Sequence, residues 1–164
     1  MFSPLNVDFF YISVGLICNE TFDLISSPRY AVPDSSFTAS SKWDSSNRLD
    51  SSDCWMGDRD VQATWIKVDL CQPRIVTAIR TKGCYGTYYV MRFTLSTSLD
   101  DINWSTIKAN NEDVVFEGHT DYTRYKVVAN NLPAPIKTRF VRLNVIRSSA
   151  YIPGLKWAID GCPV

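Results

Sequence analysis

Apolar and polar positions alternate most regularly in the middle of the chain, at residues 64–81. Every second residue of Trp65–Leu70 is isoleucine, valine or leucine, and this period of two is typical of a half-buried strand. Arg74–Thr81 is rich in β-branched residues and predicts a second strand. The proline of the intervening Cys71–Pro73 has no N–H for a sheet ladder, so this segment is predicted to be a turn.

The other predicted strands are separated by polar connectors, and Thr138–Arg147 is the strongest of them. They are Ser36–Ser40, Val90–Ser98, Trp104–Ile107, Val114–Phe116, Tyr125–Val128, Thr138–Arg147 and Leu155–Asp160. The sequence predicts no helix of ten or more residues. About eight strands at a spacing of roughly eight to fifteen residues predict an all-β sandwich or barrel.

Length and charge narrow this picture to one compact domain. The chain has 164 residues, enough for one well-buried core. Its 17 Lys and Arg balance 17 Asp and Glu, so no basic excess predicts a nucleic-acid partner. The aromatic fraction of 13% is typical of a sandwich whose Trp and Tyr residues fill the core or line a binding surface.

The five cysteines favour disulfides in an oxidising compartment. None lies in a Cys-x-x-Cys arrangement and the chain has one histidine, His119, so a zinc site is disfavoured. Five is an odd number, which leaves one thiol over if the other four pair.

The amino-terminal segment Phe9–Cys18 is apolar over about ten residues. That is the length of a signal-peptide core and is too short to span a bilayer. No Lys or Arg precedes it and Asp8 lies at its edge. Two interpretations are therefore open: a weak or truncated signal peptide, or a strand or arm packed on the domain.

Several segments together resemble the discoidin domain, also called the coagulation factor 5/8 type C domain. In chain order they are Val32–Ser41 with Trp43, Arg48–Leu49 with Cys54–Trp55, Trp65–Leu70 with Gln72–Pro73, Val115–Gly118 with Asp121, Leu132–Ile136, Arg139–Leu143 and Gly161–Cys162. Their order and spacing carry the resemblance, which covers residues 18–162. It implies a discoidin-type domain at 18–162, a lead-in or weak signal-like segment at 1–17 and a tail at 163–164.

The resemblance implies a jelly-roll β-sandwich, galactose-binding-domain-like, with loops projecting from one end. It also implies a disulfide between Cys18 and Cys162, and a second between Cys54 and Cys84 that resembles the one in retinoschisin-like members. Cys71 is then a free cysteine, at a turn where the family usually carries glycine. Its preferred interpretation is a buried, inert thiol. The alternative is an intermolecular bridge that makes an oligomer.

Members of this family bind ligands with the loops at one end, which here correspond to Ser40–Arg48, Gly83–Tyr89 and Ser148–Pro153. Aromatic rings stack on the apolar faces of sugars, and polar side chains exchange hydrogen bonds with hydroxyls. The candidate ligand-binding residues are Lys42, Trp43, Asp44, Asn47, Arg48, Tyr85, Tyr88 and Tyr151.

Several aromatic and charged residues have structural alternatives. Trp43 could shape the first loop, Arg48 could be held within the scaffold by a carbonyl or a carboxylate, and Tyr89 could point inward. The remaining tryptophans are assigned to the core or to sheet faces: Trp55, Trp65, Trp104 and Trp157.

These expectations describe a secreted or extracellular adhesion module that recognises a carbohydrate in a lectin-like manner. Its expected partner is a cell-surface or matrix glycan or glycoprotein. The alternative ligands for the same loops are a phospholipid surface and a matrix or receptor protein. Membrane binding would require apolar tips above Lys and Arg, whereas the predicted tips are mostly tyrosine and serine.

Catalysis and a bound cofactor are not expected. His119 lies in a predicted polar turn, and nothing around it resembles a nucleophile elbow. The carboxylate pairs Asp100–Asp101 and Glu112–Asp113 are interpreted as solvated connectors. A structural calcium ion needs several oxygen ligands, and Asp160 is the one evident candidate ligand in the sequence. A calcium site is therefore only weakly indicated.

Two triplets match the N-glycosylation sequon, Asn19-Glu20-Thr21 and Asn103-Trp104-Ser105. In a chain with this much Asn, Ser and Thr such triplets arise readily by chance. They therefore add little to the argument for secretion.

Overall fold

The computed structural model describes residues 15–41, 47–58, 63–121, 123–150 and 152–164. Apart from one turn of 3-10 helix at Asp34–Ser36, the regular elements in these ranges are strands. The strands are β1 (Phe22–Asp23), β2 (Phe37–Ala39), β3 (Trp55–Met56), β4 (Trp65–Lys82), β5 (Val90–Ser98), β6 (Ser105–Thr106), β7 (Lys108–Ala109), β8 (Glu112–Asp113), β9 (Phe116–Glu117), β10 (Val128–Ser148) and β11 (Gly154–Pro163). This all-β architecture confirms the predicted fold class. No helix among the described residues is long and apolar enough to cross a membrane.

One antiparallel sheet of nine strands forms the body of the described structure. Its main path runs β1-β11-β4-β10-β5-β6, while β2 pairs with β4, β3 with β11 and β9 with β5. The pairing of β10 with β4 shifts register twice, after Asn131 and after Thr138. Bulges of this kind bend a strand and increase its twist. The sheet therefore curls over itself as a jelly roll and encloses the core between its two halves.

The predicted turn at Cys71–Pro73 is a bulge inside one continuous strand, which corrects the prediction of two separate strands. Both halves of β4 pair with the same neighbour: Asp69 lies opposite Phe140, and Arg74 lies opposite Thr138. Pro73 is tolerated because the ladder is already interrupted at this point. The proline-containing segment at residues 130–135, which the sequence leaves outside the predicted strands, is likewise part of β10.

The core lies on the inward faces predicted from the alternation. Ile66, Val68 and Leu70 of β4 are at most 2% exposed, and Phe93 and Leu95 of β5 are fully buried. Trp55 and Trp157 are the largest buried side chains, whereas Trp65 and Trp104 are half-buried. The assignment of these four tryptophans to core or sheet positions is confirmed.

Both disulfides that the resemblance implied are present, Cys18–Cys162 and Cys54–Cys84. The first joins residues 144 positions apart in sequence. On chain-entropy arguments such a closure stabilises the fold by about 4–5 kcal/mol.

The curl gives the sheet two distinct ends. At the bend end, Pro163 pairs with Arg74 and Ser98 pairs with Phe140, next to the bulges. At the loop end, Lys156 pairs with Lys82 and Ser148 with Val90, where the long strands stop. The chain connections at these two ends are therefore well separated.

Cys71 lies at the bend end and is exposed, so the expectation of a buried thiol is wrong. Its φ of 65° is in the left-handed region, and its backbone N–H donates to Oδ1 of Asp69 at 2.8 Å. The bulge turns the residue out of the ladder, which is why the side chain leaves the core.

We expect glycine at position 71 to stabilise the protein relative to alanine. A side chain in the left-handed region costs about 1 kcal/mol or more, and glycine avoids this cost. Denaturant unfolding of Cys71→Gly and Cys71→Ala, both free of the thiol and with the disulfides intact, should give the glycine variant a free energy of unfolding higher by about 0.5–1 kcal/mol. An alanine variant of equal or greater stability would contradict this account.

Candidate functional site

The three predicted ligand loops meet at the loop end in the parts that the structure describes. Backbone N–H of Ser149 donates to the carbonyl of Tyr89 at 3.0 Å, which joins the third loop to the second. The Cys54–Cys84 disulfide links the second loop to the segment after the first. Trp55 Nε1 donates to the carbonyl of Ser41 at 2.9 Å, which holds the start of the first loop.

Four of the eight predicted ligand residues lie outside the described residues. They are Lys42, Trp43, Asp44 and Tyr151. The other four, Asn47, Arg48, Tyr85 and Tyr88, divide into two different environments.

Arg48 is held by the scaffold. Its guanidinium donates to the carbonyl oxygens of Ile25 and Val32, each at 2.7 Å, and to Oδ1 of Asp34 at 2.7 Å. It also lies 4.5 Å from the centroid of the Phe37 ring. These contacts agree with the structural alternative for Arg48, in which the scaffold holds the side chain. The guanidinium links Arg48 to Ile25 and to the segment that carries Val32 and Asp34.

Asn47 is also integrated into the body of the domain. The residue is 5% exposed, and its backbone carbonyl accepts a hydrogen bond from the backbone N–H of Trp157 at 2.8 Å. Its amide oxygen is buried without a hydrogen-bond partner among the described residues. Asn47 and Arg48 thus lie at the base of the first loop and not on its outer surface.

Tyr85 and Tyr88 belong to a tight loop between β4 and β5. Backbone N–H of Cys84 donates to the carbonyl of Tyr88 at 2.9 Å, and Gly86 turns the tip with a φ of +68°. Tyr85 is 61% exposed at this tip, whereas Tyr88 is half-buried. Tyr88 packs against Cys54, Met56, Cys84 and Ile152, so it is supported by the disulfide.

A fourth loop, at residues 118–127, joins this end and was not predicted as part of the site. Backbone N–H of Gly83 donates to the carbonyl of Arg124 at 2.9 Å. The hydroxyl of Tyr89 donates to Oδ1 of Asp121 at 2.5 Å, and this hydrogen bond is the main cause that raises the pKa of Tyr89. Tyr89 itself is 3% exposed, as its inward-pointing alternative requires.

The fourth loop brings a second exposed tyrosine next to the first. Tyr125 is 58% exposed, and its ring centroid lies 4.8 Å from the guanidinium of Arg124. Its hydroxyl lies 3.5 Å from the carbonyl oxygen of Gly86, at the tip that carries Tyr85. We call the surface formed by Tyr85, Tyr88, Asp121, Arg124 and Tyr125 the tyrosine patch.

The sequence placed Tyr125 in a short strand, Tyr125–Val128, but β10 begins only at Val128. Composition is the sequence feature that could have identified Tyr125 as a site residue. Residues 121–126 read DYTRYK, which is polar and aromatic like the second loop. Only the pairing of distant strands shows that the two connectors are adjacent.

His119 lies beneath the patch and is 1% exposed, which corrects its placement in a polar turn. Nδ1 is 3.1 Å from the carbonyl oxygen of Thr123, so Nδ1 carries the proton and donates. Nε2 then accepts from the hydroxyl of Thr81 at 3.1 Å. Burial lowers the pKa of His119, because the imidazolium would lose its hydration.

In the described part of the chain, no group of three or more His, Cys, Asp or Glu side chains converges. Asp160, the residue considered for calcium, instead accepts two hydrogen bonds from the guanidinium of Arg80, each at 2.7 Å.

The architecture is that of the galactose-binding-like jelly-roll domains. Discoidin II from Dictyostelium discoideum superimposes with a TM-score of 0.61 at 19% identity, covering 78% of this chain and 55% of that one. The family 32 CBM from C. perfringens NanJ, solved in complex with galactose, gives a TM-score of 0.59 at 13% identity over 78% of this chain and 96% of that one. The CBM32 of AlyQ, in complex with 4,5-unsaturated mannuronic acid, gives 0.61 at 14% identity over 85% and 97%.

Sequence comparison defines the family. Residues 32–158 match the F5/8 type C domain, and the chain belongs to this family. Human neuropilin-1 is 34% identical over 115 residues, which are 67% of this chain and 12% of neuropilin-1. Mouse coagulation factor VIII is 35% identical over 104 residues, 60% of this chain and 4% of that protein. The chain therefore matches only a small part of each of these relatives.

We expect the protein to lose stability as the pH falls below about 6.5, the ordinary pKa of histidine. The folded state binds a proton at His119 less readily than the unfolded state does, because burial lowers the pKa of His119. The stability that the neutral His119 contributes is therefore fully present above pH 6.5, and it is lost as the pH falls through the lowered pKa. The free energy of unfolding should fall more between pH 7 and 5.5 in the wild type than in His119→Asn. The variant keeps an amide at the Nδ1 position but has no ionisable ring.

The variant also provides the control for this prediction, because carboxylates that titrate in the same range are common to both proteins. Parallel stability curves for the wild type and His119→Asn would show that His119 does not control the pH response.

Proposed function

We propose that this chain is an extracellular binding and adhesion module that recognises a carbohydrate through its loop end. The observation that carries the proposal is the tyrosine patch, in which two exposed tyrosines stand beside a carboxylate and a guanidinium. The Tyr85 and Tyr125 rings offer apolar faces to a sugar. Asp121 and Arg124 can accept from and donate to its hydroxyls.

The loops that carry the tyrosine patch are fixed before a ligand binds, which favours recognition. A loop that becomes ordered only on binding would lose conformational entropy and weaken the affinity. The disulfide and the hydrogen bonds at Gly83 and Ser149 already fix the loops against each other. A ligand would therefore meet side chains on a preformed surface. Further candidates on the same loops are Lys42, Trp43, Asp44 and Tyr151, which stay predictions.

The structural neighbours support a carbohydrate ligand for this fold. One was solved with galactose and another with 4,5-unsaturated mannuronic acid. Both share less than a fifth of their residues with this chain, so they support the ligand class and not a particular sugar.

The two alternative ligands make different demands on the same surface. A phospholipid surface requires apolar side chains above a ring of Lys and Arg. In the described part of the four loops the exposed large aliphatic side chain is Val127, next to Lys126. A protein partner would also use tyrosine and arginine, which are enriched at interfaces, and it is the stronger alternative.

Secretion is the proposed localisation. Two disulfides that join distant parts of the chain persist in oxidising compartments and are rare in reducing ones. This chemistry agrees with an adhesion role outside the cell.

We expect Tyr85→Ala to weaken carbohydrate binding roughly tenfold, equivalent to about 1.4 kcal/mol, because the exposed ring supplies the stacking surface. The measurement is a glycan array followed by a titration of the best-bound glycan. The matched control is Ile102→Ala, which removes a side chain that is 80% exposed in the turn that follows β5 at the bend end.

No glycan signal at high protein concentration would exclude the carbohydrate proposal. Glycan binding that is unchanged in Tyr85→Ala would exclude the tyrosine patch as the binding site. Vesicles that contain phosphatidylserine and captured cell-surface proteins should be tested in parallel. Binding to either in the absence of glycan binding would support the corresponding alternative.

The exposure of Cys71 permits a disulfide between two copies of the chain. We expect a band of twice the monomer mass on non-reducing electrophoresis, and its loss after reduction or in Cys71→Ser. A monomer in both the reduced and the non-reduced lanes would exclude the dimer.

A further inference from the structure

Both N-glycosylation sequons are accessible in the folded protein. Asn19 and Thr21 are exposed, and so are Asn103 and Ser105. A sequon is used only where its asparagine and hydroxyl residue can reach the surface, so neither triplet is excluded by burial.

Each sequon asparagine also lines an open cavity. Asn19 borders a cavity of about 300 Å³ together with Phe22, Arg29 and Tyr30. Asn103 borders one of about 340 Å³ together with Ser105, Leu99 and Lys137. Cavities of this volume are at the lower end of those that hold small organic ligands, so each has room for a sugar ring.

Both sites lie at the bend end. Asn19 follows Cys18, whose disulfide partner Cys162 pairs with Ile75 beside the β4 bulge. Asn103 lies in the turn after Ser98, which pairs with Phe140 on the other side of the bulge. An oligosaccharide at either position would leave the tyrosine patch uncovered.

We propose that Asn19 and Asn103 carry N-linked oligosaccharides, and that the first sugar of each packs into the adjacent cavity. The inference rests on the secretion part of the proposed function. The donor is an oligosaccharide linked to a lipid pyrophosphate. A bond forms between Nδ2 of the asparagine and the anomeric carbon, the bond from that carbon to the pyrophosphate oxygen breaks, and the amide releases one proton as the lipid pyrophosphate leaves with the electron pair.

The local geometry at Asn103 is compatible with this modification. Its Nδ2 donates to Oδ2 of Asp100 at 2.7 Å, and the same carboxylate accepts backbone N–H groups of Ile102 and Asn103 at 2.9 and 2.8 Å. An amide nitrogen carries two hydrogens, so one remains for Asp100 after the other is replaced by the sugar. The turn therefore sets the direction in which the oligosaccharide leaves the surface.

The cavity beside Asn19 offers aromatic surface to the first sugar. The Phe22 and Tyr30 rings meet edge to face with centroids 5.1 Å apart. The guanidinium groups of Arg29 and Arg74 already lie over the Tyr30 ring, 5.4 and 4.8 Å from its centroid. The sugar would therefore contact the exposed parts of these rings and the Arg29 guanidinium, which can donate to its hydroxyl and acetamido oxygens.

The first experiment expresses the full chain in eukaryotic secretory cells, both as it is and behind an added secretion signal. Peptide mass spectrometry after enzymatic removal of N-linked chains should find conversion of Asn19 and Asn103 to aspartate. Thr21→Ala and Ser105→Ala should each remove one step of the electrophoretic mobility shift, and the double variant should remove both steps. The control is Asn131→Gln, at an exposed asparagine outside a sequon, which should leave the mobility shift unchanged. An unmodified chain behind the added signal would overturn the inference.

The second experiment tests the packing of the first sugar. Glycosylated protein is trimmed by an endoglycosidase that leaves one sugar on each asparagine, and its Tm is compared with that of the Thr21→Ala/Ser105→Ala double variant. We expect the one-sugar form to have the higher Tm. Equal Tm values would show that the sugars do not occupy the cavities.

The outcomes separate this inference from the proposed function. If the chain is modified only behind the added signal, the acceptor sites stand and the amino-terminal segment does not direct secretion by itself. If the modified chain binds no glycan, the acceptor sites stand and the carbohydrate proposal fails. If the double variant binds glycans as the wild type does, modification and recognition are independent, as their positions at opposite ends require. Loss of glycan binding in the double variant would contradict that separation.

Discussion

The fold depends on a bend that β4 and β10 share. A straight strand of 18 residues would extend roughly 60 Å, which is longer than a domain of this size can cover. The bulge at Cys71–Pro73 lies next to the register shifts of β10, so the two longest strands turn together. Each strand therefore contributes to both halves of the curled sheet, and the inward side chains of one half pack on those of the other. The disulfide from Cys18 to Cys162 closes the chain beside this bend.

The same bend explains why the candidate site exists. Because both long strands fold back, their two ends arrive at one end of the sheet, and the connectors that follow them meet there. Arg48 ties the base of the first loop to the carbonyls of Ile25 and Val32, and the Cys54–Cys84 disulfide ties the second. The rigid parts of the site are thus scaffold contacts, and the exposed side chains of the tyrosine patch are free to meet a ligand.

The two ends of the domain differ in chemistry as well as in position. The loop end joins exposed tyrosines to Asp121 and Arg124 above a buried histidine. The bend end holds the disulfide-linked chain segments, the exposed thiol of Cys71 and the two sequons. In this arrangement an attachment or modification at the bend end leaves the loop end uncovered.

The sequence by itself determined most strands, the residues that face inward and, through a family resemblance, the fold and both disulfides. Val90–Ser98 was predicted to the residue, because a period of two reports which face of a strand is buried. Tertiary structure decided that β4 continues through Pro73, that Cys71 is exposed, that Arg48 belongs to the scaffold and that Tyr125 joins Tyr85. Periodicity describes a residue's neighbours along its own strand, whereas these four features depend on which distant segment lies beside it, and only the folded chain sets that.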